Sequence, residues 1–412
     1  MTETTGAAGD DGSPQWRKTL VAMVAVQVVM SLAYTFLSPI LPLFLPEVGV
    51  SNDAHVYLWA GTLAGVTSFV AALVSPLWGR MADRRGRKLM VLRSAVAIGL
   101  CTLLMGLAQN VWHLLGARVL MGAFAGFSAA SVILISTQVP RARLGYALGL
   151  MSSGQLVGSL LGPVFGGGLA DLTGSLRLPF FVGGGLALVA GALCWWSVPE
   201  AFTPPKAAQA KPSLLGAFRV VASTPGMTAL VMVLLFAQFA TQSVQPIVAL
   251  YVQDMMGDRP DLATLGGIAL SVTGLAGIVA VPLLSRAGDR FGEKTVLLIA
   301  LAGAALATAP QALAGSYMGF VVERFALGLF VGSIVPVTNA LIGKATPAAN
   351  RGLTFGITSS AYFLGNSLGP MSGGVVAAYA GLPWVFVLTT GLLLVGLAWV
   401  AVAVPRRAGD VV

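Results

Sequence analysis

The sequence predicts an all-α membrane protein, with twelve transmembrane helices in two pseudo-symmetric six-helix bundles. Three observations carry that expectation. First, 56% of the 412 residues are hydrophobic and only 9% are charged, against about 25% charged in an ordinary soluble protein. Second, the apolar residues gather into twelve runs, each near the roughly 20 residues that a membrane-spanning helix needs. Third, the second half of the chain repeats the first. The 24 basic and 15 acidic side chains are too few to cover a water-facing surface of this size. A soluble globular protein, a disordered chain and a disulfide-stapled secreted domain are all excluded. The 51 glycines suit close backbone approach between membrane helices. Cys101 and Cys194 lie in apolar runs and read as inert small apolar residues.

Residues 1–18 form a polar N-terminal tail ending in Arg17-Lys18. The following run is too long for a signal-peptide core and lacks a small-residue cleavage site, so it reads as an uncleaved first span at 19–45. That span closes on Pro39-Ile40-Leu41-Pro42, which kinks its end. Further spans fall at 57–78, 89–108, 112–135, 144–168 and 179–197, completing a first bundle over 19–198. The one long interior connection, 199–226, contains Pro204-Pro205, Lys206, Lys211 and Arg219. The second bundle, 227–404, holds spans at 227–252, 263–284, 295–313, 317–341, 353–378 and 384–404, and 405–412 is a short tail.

Basic residues set the orientation. Placing the N-terminus in the cytoplasm puts 20 of the 24 Lys and Arg on that side. The outer loops then keep only Arg177 and Arg259, and Arg118 and Arg324 fall inside spans. Both tails and the 199–226 linker are therefore expected to be cytoplasmic, in a bacterial-type inner membrane. The net charge of +9 is an inner-leaflet feature and does not point to nucleic acid.

The repeat has a near-constant offset. Asp83-Arg84 recurs as Asp289-Arg290, and Arg118, Gly122 and Gly126 recur as Arg324, Gly328 and Gly332, all 206 residues on. Gly162-Pro163 recurs as Gly369-Pro370, 207 residues on, and 10 of 23 residues are identical between 145–167 and 352–374. A parallel duplication of a six-helix unit relates the halves by an axis along the membrane normal and places the substrate between them, near mid-membrane.

Four features carry chemistry. Between spans 2 and 3, Gly79, Asp83, Arg84, Gly86, Arg87 and Lys88 combine two glycines suited to a tight turn with one acid among bases. Asp83 is expected to approach the positive end of a neighbouring helix, that of span 11 near Gly352; alternatively the loop sets topology only. In span 4, Arg118 needs a partner, water or a snorkelling route, because a centrally buried arginine costs roughly 2.5–3.5 kcal/mol. In span 5, Gly158, Gly162, Pro163, Gly166 and Gly167 form a flat face for close packing with a possible bend. Glu323, beside Arg324, is the clear intramembrane acid; it is a proton site or one side of a fixed ion pair.

Together these features resemble the major facilitator superfamily, and within it the twelve-helix drug:proton antiporters of the MdtG-like multidrug type. The resemblance covers nearly the whole chain. It implies the major facilitator fold, alternating access, and inward proton flow driving outward flow of amphipathic small molecules. Gating would fall to Gly79, Asp83, Arg84, Gly86, Arg87, Lys88, Asp289 and Arg290. The span 5 glycines with Pro163 would be the antiporter motif, and Arg118 would be associated with proton transfer. The chain departs from the pattern at Ala33, where glycine is usual, and in lacking an acid in mid-span 1. Glu323, Arg324, Arg118 and Asp83 are accordingly the proton-coupling candidates.

Polar residues at helical spacing outline a cavity. Gln27, Ser31, Tyr34 and Ser38 make one stripe with Met30 nearby, and Gln238, Gln242 and Gln245 another. Ser152, Gln155 and Ser159 recur 207 residues on as Ser359, Tyr362 and Asn366. Such stripes either bond between helices or face a wet cavity. The expected partners are amphipathic small molecules, protons and membrane lipids, with the chain a monomer. No cofactor, metal or catalytic residue is expected: no phosphate-binding loop of the G-x-x-x-x-G-K-[ST] type occurs, and His55 and His113 are isolated. The competing readings are a facilitator or proton-coupled carrier of one metabolite, such as a sugar or organic anion, and a non-transporting sensor or lipid-modifying enzyme.

Overall fold

A computed structural model describes residues 15–199, 226–346 and 351–404. Residues 1–14 of the expected N-terminal tail, the expected C-terminal tail and nearly all of the 199–226 linker lie outside the described residues, as do the surroundings of Gly79 and the side chains of Asp83, Arg84 and Asp289, whereas 15–18 already belong to the first helix.

The described residues form helices and no strand. Span 1 comprises Gln15–Thr35 and Ile40–Phe44, span 2 Asp53–Arg85, and span 3 Arg87–Gly106. Span 4 is two helices, Val111–Ala123 and Phe127–Gln138. Spans 5 and 6 are Leu144–Thr173 and Leu178–Ser197. Span 7 is again two pieces, Met227–Val244 and Val248–Met256, and span 8 is Leu262–Phe291. Span 9 runs as Glu293–Thr308 and a 3-10 turn, Ala309–Leu313. Spans 10 to 12 are Tyr317–Ala345, Arg351–Ala380 and Leu382–Ala403. Eleven of these are long and apolar enough to cross a membrane. The remaining helix, span 11, has 30 residues. The chain is a multi-pass membrane protein.

Local sequence explains the starts. Asn52, Asn110 and Ser316 accept the backbone N–H of His55, His113 and Gly319, capping spans 2, 4 and 10. One expectation is corrected here. Gly79 does not turn the chain: span 2 stays helical through Arg85, and the turn falls on Gly86 alone, at φ +95°. A helix tolerates the Arg-rich sequence that looked like a loop.

The duplication is visible atom by atom. A Cβ on Gly158, Gly162 or Gly166 of span 5 would collide with the carbonyls of Val28, Leu32 or Phe36 in span 1. A Cβ on Gly365, Gly369 or Gly373 of span 11 would collide with those of Leu235, Phe239 or Ser243 in span 7, each 207 residues on. Between the halves, Gly167 abuts the carbonyl of Ala263, and Gly374 that of Tyr57. The halves therefore meet through two related pairs, span 5 on span 8 and span 2 on span 11.

The core is not distributed evenly. On the face bearing the span 1–2 and 7–8 connections, Leu41, Phe44 and Phe180 share one continuous buried core with Tyr251, Phe320 and Phe386 of the second half. Towards the other face, the second half keeps a separate core that includes Leu230, Leu297 and Ile342. The hydrogen bonds from Ala263 and Thr264 to Asp171 and from Ser271 to Leu160 join the halves between mid-span and the shared-core face.

Candidate functional site

Where the halves meet, a cavity of about 340 Å³ opens among spans 1, 5, 7, 8, 10 and 12. The first half contributes Thr35, Ser38, Ser159, Leu160 and Pro163. The second contributes Gln238, Thr241, Gln242, Gln245, Ser271, Thr273, Arg324 and Thr389, over an apolar wall of Leu270, Leu327, Val331 and Leu393. Pro163 cannot donate its helical hydrogen bond, which loosens that turn of span 5. There the Ser271 hydroxyl donates to the Leu160 carbonyl at 2.6 Å, tying span 8 to span 5.

The expected stripes divide in two. Gln238, Gln242 and Gln245 line the cavity as the spacing suggested, together with Ser38 and Ser159. Gln242 donates to Asn366 Oδ1 at 2.7 Å, so Asn366 sits behind it as a support. On span 1 the structure puts the stripe to another use. Gln27 is 3% exposed and reaches Gln155 Oε1 at 3.4 Å, and Ser31 packs where Gly158 leaves room. Met30, placed at the cavity by sequence, is buried in the shared core. Ser31 and Met30 thus serve helix packing, because an apolar or small side chain facing span 5 has the same periodicity as one facing a cavity. Tyr34 is 48% exposed, and Tyr362 packs edge-on against Phe363; neither is among the residues lining this cavity. Sequence reasoning missed Thr35, Thr241, Ser271, Thr273 and Thr389. Single hydroxyls in apolar runs usually bond back to their own helix, and that habit hid them.

The two buried arginines are held differently. Arg324 is 5% exposed, lines the cavity, and donates from Nε to the Ala269 carbonyl at 3.1 Å. It takes part in none of the ion pairs among the described residues, so it is not the fixed partner of Glu323. Arg118 is half-buried, its Nε has no partner among the described residues, and Tyr34 lies within its electrostatic reach. Glu323 points elsewhere: its Oε2 is buried without a donor among the described residues, within electrostatic reach of Tyr251.

Of the expected gating group, Lys88 and Arg290 make contacts within their own halves. Lys88 donates to the Trp195 carbonyl at 2.7 Å, at the C-terminal end of span 6. Lys294 does the same to Ala401 at 3.0 Å at the end of span 12. Arg290 is exposed, with its guanidinium 5.3 Å from the Phe291 ring. Next to this group a feature without a sequence signal appears. Span 4 is broken before Gly126, which takes φ +119°. Trp78 Nε1 donates to the Ala123 carbonyl at 2.6 Å, and Arg93 donates to the Phe124 and Ala125 carbonyls at 3.3 and 2.8 Å. The Arg93 guanidinium lies 3.5 Å over the Trp78 ring.

Comparison with known proteins places this architecture. The chain matches the sequence profile of the Major Facilitator Superfamily over residues 23–278 and 262–411. It is 33% identical to the multidrug resistance protein MdtG of Klebsiella pneumoniae over 398 residues, covering 96% of this chain and 95% of that one. It is 35% identical to MdtG of Salmonella typhimurium over 382 residues, covering 92% and 93%. Among solved structures, a bacterial homologue of the human lysosomal transporter Spinster, inward-facing and occupied, superposes with a TM-score of 0.74 at 19% identity, covering 97% of this chain and 99% of that one. The nucleoside transporter NupG gives 0.74 at 14% identity, covering 93% and 98%. With a family profile spanning most of its length and relatives aligned nearly end to end, the chain belongs to the major facilitator superfamily and is a transporter rather than an enzyme.

Proposed function

We propose that the chain is a drug:proton antiporter that exports amphipathic small molecules by alternating access. The observation that carries this is the cavity itself: polar, lined by both halves, and bounded by the glycine contacts about which the halves would rock. Its amides and hydroxyls offer hydrogen bonds in many directions, Arg324 adds a charged donor, and the leucine and valine wall accepts apolar bodies of varied shape. The MdtG relatives, covered over more than nine-tenths of their length, support the drug reading.

The finer assignments follow the sequence. Residues 19–198 and 227–404 act as two rigid bundles joined by 199–226, with both ends cytoplasmic because the basic residues gather on that side. Glu323 carries the proton: its buried Oε2 lacks a donor and can take up a hydrogen of its own. Arg118, Arg324 and Asp83 are the assisting charges. The span 2–3 loop, Asp83 above all, gates the cytoplasmic side, and the chain works as a monomer.

Efflux of ethidium and of an anionic dye from proteoliposomes, with and without an imposed pH gradient, tests this. A several-fold acceleration by the gradient for both dyes is expected, and Glu323→Gln should remove the acceleration while dye binding persists. Equal rates with and without the gradient would defeat the antiport reading and leave a facilitator. Transport of one dye class with no competition from the other would favour a metabolite carrier.

A further inference from the structure

We propose that Asp171 is a latch: a carboxylate of the first half that caps the first turn of span 8 in the second half and holds shut the face on which it lies. The proposal rests on the alternating-access reading, since only a face that must open needs a reversible lock.

The geometry is an N-cap supplied from the wrong half. Asp171, in the last turn of span 5, accepts the Ala263 N–H at 3.2 Å through one oxygen. Its other oxygen accepts the Thr264 N–H at 2.6 Å and the Thr264 hydroxyl at 2.5 Å. The first amides of a helix have no partner within it and sit at its positive end, so a carboxylate there is well held. Span 8 does not use its own candidate. Asp261 stands at the N-cap position but makes no side-chain cap bond. Its two oxygens are occupied by Arg259, at 2.9 and 3.2 Å, and that hydrogen-bonding holds its carboxyl below the usual range. The cap is thereby left for Asp171.

Location and repeat both favour a latch over a packing contact. One turn before Asp171, Gly167 lets span 5 approach the Ala263 carbonyl, and Gly267 lets span 8 approach that of Pro163, so a short side chain can bridge. The related pair, span 2 on span 11, makes the same glycine contact through Gly374 and Tyr57, but span 11 has no carboxylate at the place of Asp171: position 378 is alanine, and span 2 is capped by its own Asn52. The contact forms without a latch, and a charge has been added on one side only. Separating spans 5 and 8 exposes the amides and frees the carboxylate, so the bond exists only while that face is closed.

The test measures the two faces separately, in full-length protein in lipid nanodiscs. Spin labels at Leu107→Cys and Leu313→Cys, both exposed, report the latch face; labels at Tyr146→Cys and Phe291→Cys, also exposed, report the other. Distance distributions are collected at two pH values, with and without ethidium. Asp171→Asn should shift the closed-to-open ratio of the latch face on the order of tenfold, with the opposite shift at the other face. Thr264→Val should shift it less. Arg259→Ala should act in the same direction, because Asp261 then competes for its own helix. Asp171→Glu should restore most of the ratio. A merely structural contact would lower the unfolding temperature and leave the ratio unmoved. Should Asp171→Asn fail to fold, Thr264→Val and Arg259→Ala decide alone. Unchanged ratios in folded variants, with a wild type that populates both states, overturn the latch and spare alternating access. A wild type with one distance at both pairs under every condition overturns both.

Discussion

Spans 4 and 10 are copies of one ancestral helix, and they have ended in different shapes. Span 10 runs unbroken from Tyr317 to Ala345, whereas span 4 stops at Ala123 and restarts at Phe127. Gly126 and Gly332 occupy equivalent places, and so do Gly122 and Gly328, which abut the carbonyls of Thr67 and Thr273. The glycines alone therefore do not break the helix. The difference lies in neighbouring spans. Trp78 and Arg93 supply donors for the three carbonyls that the break releases; their counterparts 206 residues on, Leu284 and Ile299, supply none. A freed carbonyl in an apolar surrounding costs too much to leave unpaired, so the second half stays helical, with only the Gly332 carbonyl losing its donor, to Pro336. The first half gains a joint between Arg118 and the inner part of span 4, next to the loop assigned to gating. The second half instead fixes its arginine, Arg324, to the Ala269 carbonyl.

The largest expected effect comes from removing the clamp. Arg93→Ala strands the Phe124 and Ala125 carbonyls and takes away the cation over Trp78, which should lower stability by about 2–4 kcal/mol. Ile299→Ala, at a side chain 49% exposed, should stay within about 0.5 kcal/mol. Unfolding temperatures of the two purified variants check the contrast. Equal losses would show that the break is held by something other than Arg93.

Next in size is the joint itself. Gly126 at φ +119° occupies a region closed to a side chain, so Gly126→Ala should cost about 1–2 kcal/mol and slow dye efflux. Gly332 is helical, and a built Cβ meets the Val281 side chain at 3.0 Å and the Gly277 Cα at 3.5 Å. Gly332→Ala should be neutral or should stabilise by up to about 1 kcal/mol. A neutral Gly126→Ala would mean that span 4 closes into one helix as readily as span 10.

This contrast also marks what the sequence could tell. Twelve spans, the six-and-six division and the 206–207 offset follow from apolar run length and repetition, and the glycine contacts at 158, 162 and 166 with their counterparts bear out that offset in three dimensions. The span 7 glutamines were legible as cavity residues because a polar stripe on an otherwise apolar helix must face something polar. Span 1 carries the same signal, yet it spends Gln27 and Ser31 against span 5, and periodicity alone does not separate those uses. The break in span 4 was illegible because its glycine is duplicated in the unbroken copy, while the residues that decide it lie 31 and 45 positions away. Asp171 was hidden for the same reason: its partners are 92 and 93 residues distant, and in sequence it is one more acid at a span end.

The smallest effect tests whether the asymmetry stops at span 4. Lys88 and Lys294 each donate to a carbonyl at the C-terminal end of the bundle's last helix, Trp195 in span 6 and Ala401 in span 12. A cation there meets the negative end of the helix, worth roughly 0.3–1 kcal/mol near the surface. The two contacts are related by the same 206-residue offset, and each lysine has a further contact, Lys88 with the Trp195 ring at 5.3 Å and Lys294 with the Val404 carbonyl. Lys88→Ala and Lys294→Ala should therefore cost the same within about 0.5 kcal/mol, and the double variant should cost their sum. A much larger loss at Lys88, read by thermal unfolding at low salt, would extend the first half's specialisation from the span 4 joint to the whole span 2–3 turn.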